Sequence, residues 1–153
     1  MSQSVIVLKV ALKDRKSIWR SIALKGSQTL DDLHEAIFDA FDREDEHLYS
    51  FFFPLQGGKT SRRIMQESRE YTCPYASEEP DPFGSDAGNA AKAKLSSLKL
   101  TPKQKFYYLF DFGDEWWHEI TVEKTDAPEE RGKYPRIVDR KGKSPPQYPD
   151  YDD

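Results

Sequence analysis

The chain of 153 residues is 33% charged and 37% hydrophobic with tyrosine included, and carries a net charge of −4. That leaves a modest core for one domain, partly offset by 13% aromatic residues, whose rings each bury on the order of 150–250 Å². A lone Cys73 excludes an internal disulfide, no apolar run reaches the roughly 18 residues of a membrane span, and no basic leader precedes the first apolar run, so a cytoplasmic protein is expected.

In chain order, "SVIVLKVALK" alternates with Ile6, Leu8, Val10 and Leu12 on one face, the period of a strand. After the polar break "DRKS", "SIWRSIALK" predicts the returning strand of a hairpin. "GSQTLDDLHEAIFDAF" predicts the main helix, with Thr29 as its cap and Asp32 completing a weak capping box. Its stripe of Leu30, Leu33, His34, Ile37, Phe38 and Phe41 faces a core, and its acidic residues face outward.

"HLYSFFFP" predicts an aromatic strand ended by Pro54. Residues 56–93 then lose periodicity and predict a long irregular excursion, with one short strand near Arg69–Cys73. "AKAKLSSLKL" predicts a shorter second helix before Pro102. Phe106, Tyr108, Phe110 and Phe112 alternate on one strand, and Trp116, His118, Ile120 and Val122 on the next. Both sets share a sheet face only if the connecting loop is odd in length; Gly113–Glu115 or Asp111–Glu115 both qualify. That register turns Asp111, Trp117, Glu119 and Thr121 away from the core. From about residue 127 the chain is proline-rich and ends acidic, which predicts a tail draped over the surface.

Four stretches resemble a known family: "LHEAIFDAF", "HLYSFFF", "FYYLFDFGDEWWHEITVE" and the Tyr-Pro…Gly…Pro-Pro arrangement over 134–146. Together they look like the plasmid pRiA4b ORF-3-like family, the Asp-Phe-Gly-Asp-x-Trp-x-His run being the most specific part. The resemblance implies an α+β domain, a curved and mainly antiparallel sheet packed against helices, with a setting on mobile elements and no established activity. With the periodicities above, the expected fold is one domain over 1–153 whose sheet packs on one main helix plus a shorter helix. The chain departs from the family where a Pro-Pro-Glu-Asp segment is usual and Pro145–Pro146–Gln147–Tyr148 stands instead. A resolvase label attached to some members finds neither a serine-recombinase motif nor a helix-turn-helix here.

Chemistry-bearing motifs are sparse. "IALK" and "DFG" echo a protein kinase, but the glycine-rich loop and His-Arg-Asp segment are missing and the chain is too short. His34, His47 and His118 are the candidate metal ligands, yet none has a partner at ligand spacing. His34 and His118 also lie on apolar faces, the setting of a hydrogen-bonded core imidazole. Cys73 has no histidine beside it in sequence.

The expected function is therefore a non-enzymatic binding or accessory module, without cofactor or membrane, engaging a protein or peptide. Its candidate ligand-binding residues are Asp111, Asp114, Trp117, Glu119 and His47, because an exposed tryptophan beside carboxylates suits polar or basic groups; the alternative is that a second helix or the long excursion covers this face. Two alternatives stand beside it. One is a nucleic-acid accessory protein using the basic 131–143 segment, and the other a small metal-assisted hydrolase using the histidines.

Overall fold

The computed structural model describes residues 5–43, 48–54, 68–73, 88–111 and 115–144. β1 (Val5–Leu12) and β2 (Arg15–Lys25) form the first hairpin, and α1 (Leu30–Ala40) follows. β3 (Tyr49–Pro54), β4 (Ser68–Thr72) and the two-residue β5 (Gly88–Asn89) come next. Short 3₁₀ turns at Ala90–Lys92 and Leu95–Leu98 lead to β6 (Lys105–Phe110), β7 (Trp116–Ala127) and β8 (Arg136–Lys141). These strands make one sheet in the order β5-β4-β3-β6-β7-β1-β2-β8, antiparallel except for the parallel β4–β5 pair.

The fold corrects the expected class. Strand dominates, and one α-helix lies against an eight-stranded mixed sheet, so this is not a helix-packed α+β domain with two helices. The reason lies in the backbone around Ala93. Its carbonyl accepts from Leu30 N–H at 3.0 Å, while Leu95 and Ser96 N–H donate to Gln28 and Gly26 at 2.8 and 2.9 Å. Those groups would otherwise close helical turns, so pairing with the β2–α1 connection leaves only 3₁₀ turns on either side. The segment after residue 127 likewise returns to the sheet, with β8 pairing along β2 from Trp19↔Lys141 to Ala23↔Arg136. β8 is an edge strand, and its charged side chains suit an edge that must not recruit another chain.

The aromatic hairpin has the odd-looped register. Phe106, Tyr108 and Phe110 stand opposite Ile120, His118 and Trp116, with five residues, 111–115, between the strands. One face of the sheet thus sets Leu8, Val10, Ile22, Phe51, Phe106, Tyr108 and Ile120 against Leu30, Leu33, Ile37 and Phe41 of the helix region. The short strand expected near Arg69–Cys73 is β4.

Both ends of α1 are closed by identifiable groups. Thr29 and Asp32 form a full capping box. At the other end Asp42 is left-handed (φ 53°), so that Arg43 N–H reaches Phe38 O at 3.0 Å and Asp42 N–H reaches Asp39 O at 3.2 Å. This is a Schellman turn with aspartate where glycine is usual. The remaining carbonyls of Ala40 and Phe41 accept from Arg20 Nε at 3.1 Å and Ser144 Oγ at 2.8 Å. Asp42→Gly removes the left-handed strain and should stabilise the chain by about 0.5–1 kcal/mol, seen as a higher urea midpoint; a lower midpoint would mean the Asp42 carboxylate matters more than its backbone.

Candidate functional site

The outer face of the sheet carries two of the predicted site residues, but not in the predicted setting. Trp117 is only 7% exposed, buried in a small cluster with Phe52, Tyr107 and Leu109. It is not an exposed recognition surface. Glu119 is also taken: Lys105 Nζ meets its Oε1 and Lys16 Nζ its Oε2, both at 3.0 Å. Burial opposes ionisation of this carboxyl, yet the two lysine hydrogen bonds outweigh that and hold it below the usual carboxylate range. Asp111 is buried at the start of the hairpin tip with φ 63°, and its carbonyl accepts from Glu115 N–H at 2.7 Å. Asp114 and His47 lie outside the described residues.

What assembles instead is a lysine-rich hollow. Glu119 on β7 stands between Tyr107 of β6 and Ala11 of β1. Because Ala11 is small, the β1–β2 tip carries Lys13 and Lys16 close to the glutamate, and Lys105 enters from the start of β6. Lys13, Lys16, Lys105, Tyr107 and Glu119 line a cavity of about 150 Å³. Lys13 is fixed by its N–H donating to Trp117 O at 2.9 Å, with its ammonium 6.0 Å from the Trp117 ring. Three lysines and one carboxylate share the hollow, which leaves it with a net positive charge. A larger open groove of about 460 Å³ runs past Gly26, Ser27, Lys94 and Lys99, and the side chains of Ser27, Lys94, Ser96 and Lys99 along it are exposed.

The inner face holds a second polar constellation. His34 Nδ1 and Tyr108 Oη are 2.5 Å apart, and the imidazole stacks on Tyr49 at 3.9 Å. Tyr49 Oη donates to Asp31, and burial together with that carboxylate pushes the phenol up. His118, fully buried, has Nε2 3.1 Å from Arg43 Nη2 and Nδ1 3.3 Å from the Tyr108 carbonyl. A guanidinium only donates, so Nε2 accepts and the proton sits on Nδ1. Burial, then the adjacent Arg43 charge, lowers the His118 pKa to about 3. Burial also brings Arg43 down to about 10.

His34 and His118 therefore engage opposite ends of Tyr108, and the described residues contain no group of three or more His, Cys, Asp or Glu placed to hold a metal. Cys73 is buried, with its N–H on Tyr49 O. In the basic 131–143 segment, Arg136 is tied to Glu130 at 3.1 Å and lies 4.5 Å from the Tyr134 ring. Arg43, Tyr49 and Tyr108 were not singled out from sequence. The one available signal was Arg43 itself, a solitary base in an acidic run directly after the helix stripe.

Among known proteins, the pattern of the plasmid pRiA4b ORF-3-like proteins matches residues 4–148, and the chain belongs to that family. The uncharacterized protein y4hQ of Sinorhizobium fredii is 29% identical over 149 residues, 96% of this chain and 67% of its own. The crystal structure of a protein of unknown function from Methanosarcina mazei Go1 superposes with a TM-score of 0.72 at 29% identity, covering 96% of this chain and 74% of that one. Among the described residues, no helix is long and apolar enough to cross a membrane.

Proposed function

We propose that this member of the plasmid pRiA4b ORF-3-like family is a non-enzymatic binding module that takes an acidic segment of a protein or peptide partner on the outer face of its sheet. The observation that carries the reading is the hollow in which Lys13, Lys16 and Lys105 outnumber Glu119. Its polarity fits a carboxylate side chain, and the rigid strands beneath hold the cations in place without a ligand. The buried nucleophile and the engaged imidazoles support a binding role over a catalytic one. The plasmid reading frame that gives the family its description supports an accessory role on mobile elements as part of the same proposal.

Fluorescence anisotropy with a labelled hexaglutamate peptide at low salt tests it. Lys13→Gln should weaken binding roughly twofold to fivefold, the scale of one exposed ion pair, and Glu119→Gln should strengthen it by a similar factor. Rising salt should erode the affinity as exposed charges are screened. Equal affinity for the native chain and both variants would sink the proposal. Tighter binding of single- or double-stranded DNA, with a steep salt dependence, would move the function to nucleic acid.

A further inference from the structure

On the opposite, helix-facing side, Arg43 is 6% exposed, yet two of its three guanidinium nitrogens, Nε and Nη1, have no hydrogen-bond acceptor, and neither does the buried indole N–H of Trp116. The guanidinium carbon is 4.5 Å from the Trp116 ring and 5.5 and 5.7 Å from those of Phe110 and Phe41. Stacking satisfies the face of a guanidinium but not its edge, where the N–H groups lie in the plane. The third nitrogen donates to neutral His118, which brings no negative charge. Among the described residues no carboxylate pairs with Arg43. A buried cation with unmet donors costs several kcal/mol, and proteins leave few such groups.

We propose that Arg43 and Trp116 form a carboxylate-binding site at the C-terminal end of α1, separate from the lysine hollow on the other face. All the unmet groups are donors, so the missing partner is an acceptor, and the single buried positive charge balances one negative charge. A phosphate would bring a second negative charge into the same apolar walls. Half-buried Trp116 reaches solvent beside Arg43, and the Schellman turn fixes where Arg43 enters. Covalent geometry keeps the indole N–H within a few ångströms of the guanidinium, close enough for one carboxylate to serve both.

The test is a proton–nitrogen NMR titration of the Arg43 Nε–H and Trp116 indole signals with sodium acetate, at constant ionic strength made up with chloride. Acetate should shift both signals saturably, and Arg43→Met should abolish the response of Trp116. N-acetylglycine in place of acetate tells a chain-end carboxylate from a free small acid, whichever binds more tightly. Chloride shifting both signals equally, or phosphate outcompeting acetate, overturns the assignment. Because the variant is open to misfolding, thermal unfolding of the native chain gives an independent reading: acetate should raise the midpoint where chloride does not. A midpoint that ignores acetate overturns the site on its own.

Discussion

As pH falls below 6.5 the native chain should lose stability with a slope that steepens to about 1.4 kcal/mol per pH unit by pH 5, and His118→Gln should remove that slope. His118 has an ordinary pKa of 6.5 and a folded pKa of about 3, because burial and the Arg43 charge oppose its protonation. The unfolded chain therefore binds a proton that the folded chain refuses. Stability is fully present well above pH 6.5 and drains as pH falls towards 3, by roughly 2 kcal/mol between pH 6.5 and 4.5. Arg43 and the backbones of Tyr108 and Trp116 are in hydrogen-bond reach of the ring, so among the described residues nothing anionic offsets the effect. Glu119 acts lower down: its folded pKa is depressed, so its contribution is lost only below the ordinary carboxylate range. Glutamine can still accept from Arg43 and donate to the Tyr108 carbonyl. Urea unfolding at half-unit pH steps distinguishes the two chains; parallel slopes would remove His118 as the cause.

Trp117→Ala should cost about 3–5 kcal/mol, the usual scale for deleting a buried aromatic side chain. An outward-facing tryptophan in a ligand surface would instead leave stability almost unchanged. The structure decides between them: Trp117 is buried beside Phe52, with ring centroids 5.5 Å apart, and shares its cluster with Tyr107 and Leu109. Truncation removes one wall of that cluster and loosens the base on which Lys13 rests. Chemical denaturation checks the prediction. A loss below about 1 kcal/mol would return Trp117 to the surface.

The contrast shows where sequence patterns inform and where they fail. α1 was legible because its stripe, its capping box and its outer carboxylates all specify the same helix. The hairpin parity was legible too, since period-two alternation admits only an odd loop when both apolar sets share a face. The second helix was not, because hydrogen bonds to Gly26, Gln28 and Leu30, more than sixty residues upstream, take the groups it needed. The sequence left open whether the outer face is exposed or covered, although "FYYLF" is apolar at every position, which fits a strand covered on both sides better than one facing solvent. Of the lysine hollow, only Glu119 was singled out from the sequence. The lysines answering it come from two chain segments far apart in sequence, the β1–β2 tip and the start of β6, and only the assembled sheet brings them together.

The position of β1 has a consequence for synthesis. It lies between β2, its immediate neighbour in sequence, and β7, which ends at Ala127. A nascent chain that has left the ribosome only as far as Phe110 holds its first hairpin with both rims unzipped, ready to pair with another polypeptide. Maturation must therefore wait until the Trp116–Ala127 strand has been made, and a chain stopped before that stretch should be insoluble rather than a smaller working domain.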